Sequence, residues 1–481
     1  MQLSFARGDQ PVEVELVEQP STLRPQDVFV TLPPQQAFHR LLGLDESRLL
    51  RACGGLYSLG QRFSNWSGAS DPFLHAYDTH GVSLSHVEFF HYWLKARASG
   101  LNVPLEDFSL GAVAAKQGRF VVFNESNRAF SNATYGYHLG AIQYLQAIGK
   151  AGLKAGLRHT VADVKSVNHD KGLIQSIGLD NGATIEADLF IDASGSEGRL
   201  IRHLEKHNFE NWKQWLPCDR VMVASAPTLS PVPAFAQVSA FSGGWVGVHP
   251  LVDRTAIVAA FSSAHTKSDD VPGIMSALTG LRIQDDAVVA AVVPGCRQQQ
   301  WIGNCIAVGE TGLNLEPLDG VQLHMLHTGL SYLVSLFPVD RHNMIEAEIY
   351  NEKMQATASC LKDFQIAHYA LNRRYGEPFW DEVREQQPPD TLATKIALFE
   401  NRGIVSMREH ETFHEENWTS VFIGHGLNPK SWDPLVDKTP EQEQIANFQR
   451  ILKFIGTEVE SMPSLQAHME LNAPSGGDYI F

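Results

Sequence analysis

The chain has 481 residues, with 38 Lys and Arg against 54 Asp and Glu, a formal net charge of −16. That length is enough for a large buried core and an enzyme, and so acidic a surface repels phosphate backbones, which argues against nucleic acid as a partner. The five cysteines, with no C-x-x-C pair, signal neither a zinc site nor a disulfide framework and fit a reducing cytoplasm.

Residues 12–17 alternate as Val-Glu-Val-Glu-Leu-Val and end in Glu18, as the second strand of a dinucleotide-binding fold ends, where a carboxylate can accept hydrogen bonds from a ribose. Residues 1–7 read as the tail of the helix before it. Eleven residues leave no room for a first strand and its G-x-G-x-x-G turn, so both are expected to be missing. No basic-then-apolar export pattern opens the chain. Helical patterns are predicted at 34–42 and 46–52, then a Gly-rich aromatic stretch at 54–66 and a helix with an apolar stripe at 87–98. Residues 137–155 predict an amphipathic helix ended by Gly156, followed by a strand meander with a hairpin turn at Asp180-Asn181-Gly182. An apolar strand opens into Asp192-Ala193-Ser194-Gly195.

Strand-like runs at 219–263 predict an antiparallel sheet over a substrate cavity. From Leu323 the chain reads as mostly helical, with breaks near 386–390 and 424–437. The apolar run at 330–339 is interrupted by Ser and Pro and is too short to span a bilayer. The sequons at Asn65, Asn124, Asn132 and Asn417 read as chance in a cytoplasmic protein. His75, His80, His86 and His91 lack metal-ligand spacing, so no metal is expected and solvated or structural roles are assigned to them. The alternation of strands and helices with a helical tail gives an α/β fold.

Several segments together resemble the tryptophan halogenase family of flavin-dependent halogenases. They are Tyr135-Gly136-Tyr137-His138, Glu186 through Gly195, Trp301 through Gly309 leading into Glu316-Pro317-Leu318, and in the tail Pro378-Phe379-Trp380, 398–403 and 417–426. The resemblance implies a flavin-monooxygenase-like, GR2-type fold, with an FAD-binding domain at 1–345 and a helical subdomain at 346–481. It also implies reduced FAD from a separate flavin reductase, oxidation of a halide, and halogenation of an aromatic or indole substrate. No membrane partner is implied, and a homodimer is among the assemblies it allows.

Carried over residue by residue, the resemblance assigns cofactor contacts to Glu18, Asp192, Gly195, Gly309, Glu316, Pro317 and Leu318, and halide contacts to the backbone N–H groups of Val321 and Gln322. Substrate contacts fall to Trp245, His249 and Trp418. The family's lysine follows a Cys-x-x-x-aromatic segment; Cys53 and Tyr57 are present, as are Arg62, Phe63, Asn65 and Trp66, yet Ser58 holds the lysine's place. A serine carries no cation to polarise an oxygen–halogen bond.

The family's catalytic glutamate becomes Asp319, shorter by about one bond length, a displacement on the scale that lowers rates about a hundredfold. Gln322 replaces a glycine and is expected to lose positive-φ freedom. The family's Trp-x-Trp-x-Ile-Pro motif reads Trp245-Val246-Gly247-Val248-His249-Pro250, so Gly247 is expected to open a cavity beside the imidazole of His249. The glycines of the flavin loop are gone from 26–33, which predicts weak FAD binding. Two other readings stay open: a non-catalytic paralogue that binds an aromatic ligand or a partner, and a flavin monooxygenase that does not halogenate.

Overall fold

A computed structural model describes residues 12–67, 72–84, 86–122, 133–204, 208–340 and 343–471. The expectation for residues 1–7, and the sequons at Asn124 and Asn132, lie outside them. The centrepiece is a seven-stranded sheet in the order Val288–Ala291, Arg220–Ala226, Thr255–Phe261, Gly244–Pro250, Ala236–Phe241, Gly60–Ser64, Phe73–Ala76. Every pairing is antiparallel except Ala236–Phe241 with Gly60–Ser64. The sheet predicted at 219–263 is therefore present, and it recruits Gly60–Ser64 from within the Gly-rich aromatic stretch and Phe73–Ala76 from just after it. Gly244–Pro250 and Thr255–Phe261 are buried at every position, hence their dense runs of Ala, Val and Ile.

The dinucleotide-binding part is divided. Glu15–Glu18 pairs in parallel with Arg158–Val161, and Phe190–Asp192 pairs in parallel with Cys305–Ala307, as members of two separate sheets. Among the described residues no strand joins them. The meander of Val164–Asp170 and Leu173–Leu179 ends in the predicted Asp180-Asn181-Gly182 turn, where Gly182 has φ 84°.

One helix starts later than expected. Residues 136–140 form a strand between Val28–Val30 and Leu56–Ser58, and the helix runs Ala141–Lys154. The apolar stripe of that region continues across both elements, which hides the boundary from a 3.6-residue pattern. The helices Gln35–Leu41, Glu46–Ala52 and Phe89–Ala98 fall where the sequence places them.

The tail opens with Val321–Ser335 and the 25-residue helix Glu346–Ala370, which sends Tyr350, Leu361, Phe364 and Tyr369 into the largest core cluster, shared with Phe63, Trp66, Trp245 and Trp380. Gly403, at φ 66°, ends Asp390–Arg402 as a left-handed cap. Among the described residues no helix is long and apolar enough to cross a membrane.

Candidate active site

The site is built on one face of the central sheet. Gln61 lies opposite His75 and Phe63 opposite Phe73 in an antiparallel ladder, so these four side chains share a face. Over it lie Phe364 and His368, one turn apart on Glu346–Ala370, and His425, at the end of Glu415–Gly424. His368 stacks on Phe63 with ring centroids 4.5 Å apart, and its Nδ1 lies 2.9 Å from His425 Nε2.

The loop before Val321–Ser335 closes the site. Asp319 and Gly320 both take left-handed backbone, φ 61° and 70°, which turns the chain sharply into the helix and swings the Asp319 carboxylate inward. Asp319 Oδ1 stands 3.4 Å from His368 Nε2, and both side chains are fully buried. Gln322, expected to be hampered by lost positive φ, is an ordinary second residue of the helix; the left-handed geometry sits at Asp319 and Gly320 instead.

Several buried polar atoms here lack a partner in good hydrogen-bond geometry, both nitrogens of His75 and both Asp319 oxygens among them, while Gln61 and Ser58 lie within hydrogen-bonding reach of the Tyr77 hydroxyl and His368 Nε2 faces Asp319 at 3.4 Å. Buried polar groups in proteins are nearly always paired, so these atoms together mark a chamber for water or a polar reactant. Burial lowers the His75 pKa to about 4, opposed by the negative Asp319, and raises that of the Tyr77 phenol, an effect Asp319 adds to. Both groups are therefore neutral and face the carboxylate as uncharged partners. Val321–Ser335 has no side-chain cap, leaving its first backbone N–H groups, those of Val321 and Gln322 included, as donors at a positive helix end.

The other sequence-assigned residues fall as follows. Ser58 is buried at the end of Leu56–Ser58, where its hydroxyl donates to the Gly60 carbonyl at 3.2 Å. Trp245 Nε1 donates to Glu316 Oε2 and to the Tyr369 hydroxyl, both at 3.1 Å, and Tyr369 donates to the same carboxylate. Burial raises the Glu316 pKa to about 7 against those hydrogen bonds. The Glu316 carboxylate is thus a buried tie, while its backbone and that of Leu318 are clamped by Gln365 Nε2 at 3.1 and 3.0 Å. Pro317, between them, is half-buried. Trp418 packs edge-on behind Phe364, with Lys395 Nζ 4.2 Å above its ring.

The cavity expected beside Gly247 is filled. A Cβ at that position would come within 2.7 Å of His249 Nε2, because the imidazole occupies the space the glycine leaves. His249 is buried, 5.5 Å from the His138 ring, and desolvation holds its pKa well below the usual range. Gly247→Ala should cost about 2 kcal/mol through overpacking, read as a lower Tm. The penalty should shrink in a His249→Ala background, and equal penalties in both backgrounds would show that the two positions are independent.

For a flavin, the two ends of the site differ. Gly195 and Gly309, at φ 80° and 60°, present open backbone, tied together by Thr311 Oγ1 donating to the Gly195 carbonyl at 2.8 Å. That arrangement can receive a ring system. The Asp192 carboxylate accepts from Ser194 N and Oγ, Leu200 N and Ile201 N, at 2.6 to 3.1 Å, and so holds the Gly195 loop. Glu18 lies 2.7 Å from His159 Nε2. No Gly-rich turn for a diphosphate occurs among the described residues, and the fit they offer is to the ring end of FAD.

Sequence reasoning missed His368, His425 and Tyr77 and gave His75 a bland role. Only the alternation at 73–77, with polar His75 among apolar neighbours, offered a signal; nothing local distinguishes His368 within its helix.

Comparison with known proteins adds three findings. A family model described as Tryptophan halogenase matches residues 2–441. Tryptophan 7-halogenase RebH of Lentzea aerocolonigenes is 24% identical over 472 residues, 90% of this chain and 88% of that protein, and tryptophan 6-halogenase ThaL of Streptomyces albogriseolus is 24% identical over 499 residues, 94% and 92%. Among solved structures, BrvH, a flavin-dependent halogenase from Brevundimonas sp. BAL3, superposes with a TM-score of 0.91 at 30% identity, covering 97% of this chain and 94% of its own.

Proposed function

This chain belongs to the tryptophan halogenase family, which is flavin-dependent, and on that premise we propose that it halogenates an aromatic ring of the indole class with Asp319 and His368 at the reacting centre. One observation carries the reading: a fully buried carboxylate, facing only the His368 imidazole at 3.4 Å and standing beside an uncapped helix N-terminus. Reduced flavin, delivered by a separate reductase, would supply with oxygen the two-electron oxidation of halide to hypohalous acid.

The chain's own residues do the rest. The N–H groups of Val321 and Gln322 hold a halide at the positive helix end. Buried Phe63, Phe364 and the sheet face exclude water, so that each remaining electrostatic contact acts in a low dielectric. In the substitution the ring carbon's electron pair forms the carbon–halogen bond as the oxygen–halogen bond breaks. The departing hydroxide takes a proton from His368 in its imidazolium form and leaves as water, so that the imidazole is neutral until the ring proton reaches it. The ring proton then goes to the Asp319 carboxylate, which returns it to His368 across 3.4 Å. His425, kept neutral by burial and by its neighbours His368 and Arg373, orients the His368 ring through the 2.9 Å nitrogen contact.

FAD is expected to bind weakly, with Kd above about 10 μM, because the loop at 26–33 has no glycine to let backbone approach the flavin closely; flavin fluorescence titration measures this. With saturating chemically reduced FAD, bromide and indoles, mass spectrometry should find a monobrominated ring. Flavin consumption without halogenated product would favour the monooxygenase reading. No flavin binding at all would leave the non-catalytic one.

A further inference from the structure

A groove of about 540 Å³ opens on the outer side of Phe73, between the ends of Phe89–Ala98 and Glu415–Gly424. Its size suits a small organic ligand. Its walls are apolar at Phe73, Leu101 and Ile423, and two guanidiniums, Arg97 and Arg373, line it. Neither has a carboxylate partner among the described residues: Arg97 lies 5.0 Å over the Trp93 ring and Arg373 donates to the Gly426 carbonyl. In a chain of net charge −16, two uncompensated cations in one groove are notable. The one acid there, Glu106, is already engaged, pairing with Lys116 and accepting from Leu74 N at 2.7 Å.

The groove adjoins the chamber. Phe73 stacks on Phe63 at 5.2 Å and Phe63 on His368 at 4.5 Å, with Asp319 3.4 Å beyond. The Phe73 ring lies directly on Gly424, where any side chain would collide with it.

We propose that this groove recognises an aromatic acid, its carboxylate held by Arg97 and Arg373 and its ring resting on Phe73, which is the door to the chamber. The inference rests on the halogenase reading for what happens beyond the door, and adds a substrate class to it. An ammonium finds no free carboxylate in the groove, so the ligand is an acid without an amine, in preference to an amino acid or an arylamine. Guanidinium pairs match carboxylates in bidentate geometry, which makes this selection steep.

The test is calorimetric binding of indole-3-propionate, L-tryptophan and tryptamine to the full chain, without flavin or halide, at low and high salt. Indole-3-propionate is expected to bind at least about tenfold tighter than tryptamine, to weaken with salt, and to lose about tenfold or more in Arg97→Gln/Arg373→Gln. Should the double variant fail to fold, the single Arg97→Gln, which alters an exposed side chain, and the wild-type comparison of acid with amine decide the matter. Equal binding of tryptamine, an unaffected variant, or no binding of any probe overturns the proposal. Bromination of tryptamine in preference to the acid would also overturn it while leaving the halogenase reading intact; acid binding with no turnover would do the reverse.

Discussion

Asp319→Asn is expected to lower halogenation by about a thousandfold, the scale of a lost general acid–base group, with the fold intact. Asparagine matches the shape of aspartate and tolerates the left-handed backbone at φ 61°, so the substitution removes charge and little else. His368→Phe keeps the stack on Phe63 at 4.5 Å and removes both nitrogens; it should lower the rate by about a hundredfold. If the two act as one unit, the double variant is no slower than Asp319→Asn alone. Turnover with reduced FAD in excess, followed across pH, checks this: loss of the wild-type pH profile in His368→Phe marks a proton-handling role, which a packing defect would not change. Asp319→Asn within fivefold of the wild type would sink the assignment.

Cooperative acid unfolding near pH 5 is the second large effect. Burial lowers the pKa of His39, His75, His80, His138 and His324 to about 4 and of His327 to about 3, while His249 and His425 go well below the ordinary 6.5. The unfolded chain binds protons at these eight sites from pH 6.5 downward and the folded chain does not, so stability is fully present above pH 6.5 and is lost as pH falls. Glu316 and Asp78, raised by burial to about 7 and 6, act the other way, since the folded state takes up their protons first.

Near pH 5 the unfolded state binds more protons at these histidines than the folded state does, and each net proton changes the stability by about 1.4 kcal/mol per pH unit. A typical domain has about 5–15 kcal/mol in total. Circular dichroism against pH, paired with proton uptake, should show a steep transition between about pH 6 and 4.5, and His327→Gln should shift it to lower pH. Native ellipticity held at pH 4.5 would contradict it.

Local chemistry made part of this protein readable from its residues. The alternation ending at Glu18, the Asp180-Asn181-Gly182 turn, the helices at 35–41 and 46–52, and the strand runs within 219–263 each follow from periodicity or turn preference over a few residues. Family motifs around Trp301 to Asp319 singled out Asp319, whose carboxylate is buried against His368 at 3.4 Å.

The sequence by itself determined the helices at 35–41 and 46–52, the strands within 219–263, and that a carboxylate follows Glu316-Pro317-Leu318, because those properties depend on neighbours in the chain. Only the tertiary structure decided that His75 and His368, 293 positions apart in the numbering, come within electrostatic reach of each other and of Asp319. It also turned Asp192 into a clamp on its own loop and filled the space beside Gly247 with His249. Those outcomes depend on burial and on which groups are left without partners, and both are set by packing between distant segments, where no local pattern records them.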